Sequence, residues 1–192
     1  MNICVYGASS NTIDKSYIDA NYKLGQLIAN QNHAVIYGGG ACGMMGAVAR
    51  GARSENGDVI GISPAFFKVD GSLYDNCTDF IYTDNMRQRK QLLEDKSDGF
   101  IVSPGGIGTL DEFFEIFTLR QLCKHLKPIV IFNVNNYYDK LIEFLDICIE
   151  QNFMSEHNKE LFFVTDDPQS AIDYIVNYTP SAWKLNDLKD IK

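Results

Sequence analysis

The chain has 192 residues, 45% of them hydrophobic and 22% charged, with 17 Lys and Arg against 25 Asp and Glu for a net charge of −8. That length suits one sizeable core rather than two independent domains. The acidic balance disfavours a nucleic acid polymer or an anionic membrane as partner, but it leaves room for a small anion held by local donors.

Strands alternate with helical patterns along the whole chain. Residues 2–6 form a short apolar strand that breaks at Gly7-Ala8-Ser9-Ser10, and residues 16–30 carry apolar side chains at helical spacing. A strand over 34–37 ends in Gly38-Gly39-Gly40 and leads to a small-residue helix over 44–53. Residues 59–62 form a third strand, the stretch from Pro64 to Asn76 is irregular, and a strand over 80–83 precedes a helix over 86–96. Residues 100–102 make a fifth strand running into a glycine loop, followed by a helix over 110–123. A strand over 128–132, a helix over 137–151, a strand over 161–164 and a helix over 171–178 complete the pattern; the residues from 179 to 192 read as a polar tail. Such alternation predicts an α/β, Rossmann-like, doubly wound and mainly parallel sheet with helices on both faces, in one domain over residues 1–178. Ligands of such sheets bind beyond the carboxyl ends of the strands, where both glycine loops fall.

The N-terminus carries no basic region followed by an apolar stretch, and no apolar run approaches the ~20 residues that span a bilayer, so a cytoplasmic chain is expected. The five cysteines (Cys4, Cys42, Cys77, Cys123, Cys148) contain no CxxC pair, and His33, His125 and His157 show no ligand spacing. Neither a disulfide framework nor a metal centre is expected.

The strongest signal is Ser103-Pro104-Gly105-Gly106-Ile107-Gly108-Thr109-Leu110-Asp111-Glu112. Gly105, Gly106 and Gly108 let the backbone bring its amides close to an anion, the following helix start adds free N–H groups and a positive dipole end, and Thr109 adds a hydroxyl. No Gly-Lys-Ser/Thr follows, so this is not a Walker loop. The competing reading is a capping box between Thr109 and Glu112, which leaves the glycines unexplained. The second glycine loop, Gly38 to Gly46, gives backbone room for a nucleotide around Gly39 and Gly43, or serves close packing of helix on sheet. Ser63 stands where a dinucleotide fold carries its ribose-binding acid.

Met86-Arg87-Gln88-Arg89-Lys90 opens a helix with three cations, an arrangement that opposes the helix dipole and that a bound anion would relieve. A solvated surface is the alternative, with Asp84 and Asn85 as caps. Glu112 and Glu115 lie three apart on a helix that is apolar around most of its circumference, so their charges need partners, Arg89 or Arg120 among them. A second packing surface for this helix implies a homodimer.

These motifs together resemble the LONELY GUY (LOG) family, whose pattern PGGxGTxxE stands here at Pro104–Glu112 and whose M-x-x-R-K segment stands at Met86–Lys90. Further matches are Gly38-Gly39-Gly40, Gly43-Met44-Met45-Gly46, Gln121-Leu122, His125-x-Lys127-Pro128, Asn133-Val134 and Tyr137-Tyr138-Asp139, so that the resemblance covers roughly residues 1–178. It implies a Rossmann-like, usually dimeric protein that hydrolyses the N-glycosidic bond of a purine nucleoside 5′-monophosphate, cytokinin-type or AMP, to free base and ribose 5-phosphate. It implies Arg89 and Glu112 as the catalytic pair. Lys90, Gly105, Gly106, Gly108, Thr109 and Thr118 follow as substrate contacts, and Gly39, Gly43, Met86 and Glu115 complete the candidate site. Two departures are Arg87, where the family often has His, and the segment 66–76, which does not follow the family pattern.

Ribosyl hydrolysis passes through an oxocarbenium-like sugar and needs a carboxylate near the anomeric carbon. Glu112 is the candidate for stabilising that cation and activating water, with Glu115 on the ribose hydroxyls or behind Glu112. Arg89 can position Glu112 and bind substrate oxygens, but an arginine does not give up its proton near neutrality. No metal or organic cofactor is required, and nothing marks a Schiff-base lysine. The alternatives are a non-catalytic nucleotide sensor or carrier on the same fold, and a pyrophosphate-dinucleotide binder.

Overall fold

Each central strand is a short, uninterrupted apolar run, which is stable only when both faces of the sheet are covered. The computed structural model describes residues 1–69, 71–180 and 184. Its strands are β1 (Asn2–Tyr6), β2 (Ala34–Tyr37), β3 (Val59–Pro64), β4 (Asp79–Thr83), β5 (Gly99–Val102), β6 (Ile129–Phe132) and β7 (Phe163–Thr165). The helices are α1 (Lys15–Asn30), α2 (Gly43–Ser54), α3 (Met86–Lys96), α4 (Ile107–Gln121), α5 (Asp139–Glu150) and α6 (Pro168–Val176). Among the described residues the strands form one all-parallel sheet in the order β4-β3-β2-β1-β5-β6-β7. No helix among them is long and apolar enough to cross a membrane. The expected tail lies almost wholly outside the described residues.

The period-2 alternation of a strand sorts side chains between the two faces. Ile3 and Val5 of β1 join Leu24 and Ile28 of α1, Val48 and Ala52 of α2 and Ile172 of α6 on one face. Cys4 and Tyr6 join Leu93 of α3, Phe113 and Phe117 of α4 and Leu145 of α5 on the other. The sheet is therefore doubly wound, as the sequence pattern predicts. The chain winds outward from β1 to β4, then returns to the other side of β1 for β5. The loops after β1 and β5 diverge there and open a crevice, although Ala8 N–H still reaches the Pro104 carbonyl at 3.0 Å.

Several boundaries differ from the sequence reading. The helix expected from Leu110 starts at Ile107, with Gly106 as its N-cap. Thr109 is therefore the third helical residue, its hydroxyl caps nothing, and the capping box is not formed. The same helix stops at Gln121, and Cys123, expected inside it, takes a positive φ of 54°. Residues 134–136 form a separate tight turn, so α5 begins only at Asp139.

α1 and α2 touch backbone to backbone. A β-carbon on Gly51 would stand 2.0 Å from the Tyr22 carbonyl oxygen, and one on Gly25 would stand 2.1 Å from that of Val48. Neither obstacle is a side chain that can swing away. Gly51→Ala is expected to cost about 1–3 kcal/mol in a urea unfolding titration, despite the better helix propensity of Ala. Unchanged stability would mean that the two helices part freely.

Candidate active site

The carboxyl edge of the sheet holds a cavity of about 670 Å³ at the switch point. Its wall combines the loop after β1 (Gly7 to Ser10), the loop after β2 (Gly38, Gly40, Cys42) and Ser63 at the end of β3. Met86 and Arg89 of α3 and Gly106, Gly108, Thr109 and Glu112 of α4 close the other side.

One end presents free backbone donors. The first intrahelical bond of α4 runs from Leu110 N–H to the Gly106 carbonyl at 3.0 Å, and the N–H groups of Gly106, Ile107, Gly108 and Thr109 have no partner among the described residues. These free donors coincide with the positive end of the helix dipole. The glycines have separate tasks. A β-carbon on Gly106 or Gly108 would meet nothing within 4 Å, whereas one on Gly105 would lie 2.1 Å from Thr109 Oγ1. Gly105 thus lets the Thr109 hydroxyl fold back over the loop, and the other two keep its mouth open.

The centre holds a buried ion pair. Arg89 Nη1 lies 2.9 Å from Glu112 Oε1, with side chains only 10% and 9% exposed. Arg89 Nε also donates to the Ile62 carbonyl at 3.2 Å. A β-carbon on Gly38 would overlap Arg89 Nη2 at 1.9 Å, so the glycine makes the space that the guanidinium occupies. Burial pushes the Glu112 carboxyl up to about 6 against the opposing pull of Arg89. Of the two expected partners for Glu112, Arg89 is the one found; Arg120 is buried elsewhere and donates to the Tyr178 hydroxyl at 2.9 Å.

Two of the three cations at the start of α3, Arg89 and Lys90, are paired by the protein itself. Asn85 Oδ1 caps the helix by accepting from the N–H groups of Arg87 and Gln88 at 3.0 and 3.1 Å. Lys90 Nζ bridges Asp111 at 3.0 Å and Glu115 at 2.7 Å. Lys90 and Glu115 therefore stand outside the cavity wall, joining α3 to α4, and Thr118 is exposed further along α4.

Gly39 and Gly43 also lie behind the wall rather than on it. Gly43 has a φ of 58°, and its N–H donates to Asn11 Oδ1 at 2.8 Å. Met45 N–H donates to the Ala8 carbonyl at 3.2 Å. The start of α2 is thus closed by its own chain, which leaves no second amide cradle there for a dinucleotide pyrophosphate.

The sequence reading missed part of the wall. Phe67, Ser72 and Leu73 line the cavity because the segment after β3 folds back onto the loop after β2. Leu73 pairs antiparallel with Gly40, and Ala41 N–H and Tyr74 N–H donate to the Ser72 and Gly39 carbonyls, both at 3.0 Å. No local periodicity announces such a pairing. Ser63, noted only for not being acidic, is 2% exposed on the same wall. Among the described residues no group of three His, Cys, Asp or Glu side chains could hold a metal ion.

Fold and site together define a doubly wound α/β protein with free backbone donors at a helix terminus beside a buried arginine–carboxylate pair. Residues 45–175 match the family model described as "Possible lysine decarboxylase". The probable cytokinin riboside 5′-monophosphate phosphoribohydrolase LOGL9 of Oryza sativa subsp. japonica is 33% identical over 178 residues, which span 93% of this chain and 78% of that protein. Cytokinin riboside 5′-monophosphate phosphoribohydrolase LOG3 of Arabidopsis thaliana is 34% identical over 178 residues, spanning 93% and 83%. The chain belongs to this LOG family. Among solved structures, the molybdenum cofactor binding protein of Rippkaea orientalis superposes with a TM-score of 0.71 at 24% identity, covering 91% of this chain and 94% of that one. The molybdenum cofactor carrier protein of Chlamydomonas reinhardtii gives 0.69 at 20%, covering 92% and 98%. At these identities the likeness is one of fold.

Gly108→Ala separates the anion site from the fold. Alanine is the better helix former and meets open space here, so stability should rise by about 0.5–1 kcal/mol in chemical denaturation. The methyl group should also obstruct the mouth of the loop and weaken binding of inorganic phosphate about tenfold in calorimetry. Unaltered phosphate affinity would remove the α4 terminus from the site.

Proposed function

We propose that this chain hydrolyses the N-glycosidic bond of a purine nucleoside 5′-monophosphate, cytokinin-type or AMP, releasing the base and ribose 5-phosphate. The observation that carries this reading is the buried Arg89–Glu112 pair just beyond the free amides of α4. Thr109 and Glu112 are three residues apart, about 4.5 Å along the helix axis at 1.5 Å per residue. A phosphate on the amides therefore brings the ribose of the same molecule beside the Glu112 carboxylate.

The chemistry follows from that placement. As the bond from C1′ to the base nitrogen breaks, its electron pair leaves with the base and positive charge develops on the ribose. The Glu112 carboxylate offsets that charge and accepts a proton from the water that attacks C1′, while the departing base takes up one proton from solvent and Glu112 later returns its own to solvent. A carboxyl titrating at about 6 is ionised at neutral pH yet basic enough to take that proton. Arg89 holds Glu112 in place, and its Nη2, which lies beside Gly38, serves in this reading to bind substrate oxygens. A sensor or carrier would need the amide cradle but no buried carboxylate. The fold neighbours titled as cofactor carriers keep that second reading in view without favouring it.

The apolar side of α4 supports a homodimer: Ile107 is 84% exposed and Phe114 is 38% exposed. Covering such side chains is the usual work of a protein–protein interface.

Glu112→Gln keeps a hydrogen-bonding partner for Arg89 and removes the charge. It should lower kcat on AMP or an N6-prenylated AMP about 10²- to 10⁴-fold while nucleotide binding persists. A wild-type chain that binds these nucleotides but releases no base would establish the carrier reading instead.

The pH dependence has a defined sign. Catalysis needs the ionised form of Glu112, so kcat/KM should rise with pH through about 6 and then level off. Stability runs the other way. With the folded value raised above the ordinary carboxylate value, this group's contribution is fully present below that ordinary value and is lost as pH rises through about 6. A flat rate profile between pH 5 and 7 would remove Glu112 from the proton transfer.

A further inference from the structure

The glycine loop is held from behind by two consecutive tyrosines that neither the cavity wall nor the mechanism uses. Tyr138 is 2% exposed, and its hydroxyl donates to the Ser103 carbonyl at 2.8 Å. Tyr137 is half exposed, and its hydroxyl donates to the Gly105 carbonyl at 2.8 Å. The turn that presents them is specified locally. Asn135 and Asn136 take positive φ values of 54° and 58°, and Asn133 Oδ1 accepts from Tyr138 N–H at 2.7 Å. The Tyr137 ring is steadied edge-on against Tyr17 and Tyr138, with centroids 6.0 and 4.9 Å away.

The geometry of the peptide unit gives the Gly105 contact its consequence. A trans peptide is planar, and its C=O and N–H point in opposite directions. A hydroxyl holding the Gly105 carbonyl on the outer side of the loop therefore turns the N–H of Gly106 the other way. Gly106 is a wall residue of the cavity, and its N–H has no partner among the described residues. With glycine on both sides of this peptide, no side chain resists its rotation. Something outside the loop has to fix it.

We propose that Tyr137 is a positioning residue for the anion cradle: its hydroxyl locks the Gly105–Gly106 peptide so that Gly106 N–H joins the amides of Ile107, Gly108 and Thr109 as a fourth donor. The proposal rests on the reading of the cavity as a nucleoside monophosphate site and adds how the phosphate end is held. Tyr138 holds the Ser103 carbonyl, but the next residue is Pro104, which has no N–H to aim, and Tyr138 is buried in the core. Tyr137 is the member of the pair whose hydroxyl can be removed without opening the interior.

Tyr137→Phe keeps the ring and deletes the hydroxyl. By calorimetry, the variant should bind ribose 5-phosphate about tenfold more weakly than wild type, as expected for one misdirected donor to a charged group. Its affinity for adenosine, which has no phosphate, should stay within twofold, and its thermal midpoint should be unchanged. With AMP as substrate, KM should rise about tenfold while kcat falls less than twofold. Wild-type affinity for ribose 5-phosphate in the variant would overturn the proposal, and so would an equal loss for adenosine, which would mark a general loosening. A wild-type chain that binds no ribose 5-phosphate would overturn the underlying site reading and the proposal with it.

Discussion

The Arg89–Glu112 pair is the constraint around which the site is arranged. Two opposite charges taken out of water are tolerated only if both find good partners, and removing one partner from such a pair typically costs about 3–5 kcal/mol. Meeting that condition draws on four separate strands. Arg89 comes from the helix after β4 and Glu112 from the helix after β5. The Ile62 carbonyl of β3 takes the guanidinium Nε, and Gly38 at the end of β2 leaves room for the rest of it. The pair thereby gathers the carboxyl edge of the sheet around one point. It places a carboxylate of raised pKa in the wall of the cavity at the switch point.

An acidic chain holds this anion-receiving site without a lysine in it. The net charge is −8, and Lys90, the cation nearest to the expected phosphate-binding role, is engaged by Asp111 and Glu115. The donors are instead backbone amides at the start of α4, whose partial charges are fixed by the fold and need no counterion. Among the described residues that line the cavity, Arg89 and Glu112 are the charged ones. The end formed by Phe67, Ser72 and Leu73 is therefore neutral, which suits the base of the proposed nucleotide.

Much of this was legible in the sequence, because apolar strands ending in glycine loops carry a local signal. The alternation of elements predicted the parallel sheet, and the Pro104–Glu112 motif marked the cradle. What the sequence concealed depends on angle and on distance along the chain. Grouping Glu112 with Glu115 by their spacing of three missed that Asp111 and Glu115, four apart, grip Lys90 together while Glu112 turns towards Arg89. The capping box between Thr109 and Glu112 assumed a helix start that lies three residues too late. Gly39 and Gly43, expected around a nucleotide or in close packing, make close approaches to the chain's own atoms behind the cavity wall. The pairing of Gly40 with Leu73 has no sequence signature at all.

The central claim is a geometric one: the phosphate sits on the α4 terminus, and the anomeric carbon faces Glu112. A crystal structure of the chain with ribose 5-phosphate tests it most directly. The account predicts phosphate oxygens within hydrogen-bonding distance of the amides from Gly106 to Thr109 and C1′ turned towards the Glu112 carboxylate. A phosphate at the start of α2, or a C1′ turned away from Glu112, would contradict it.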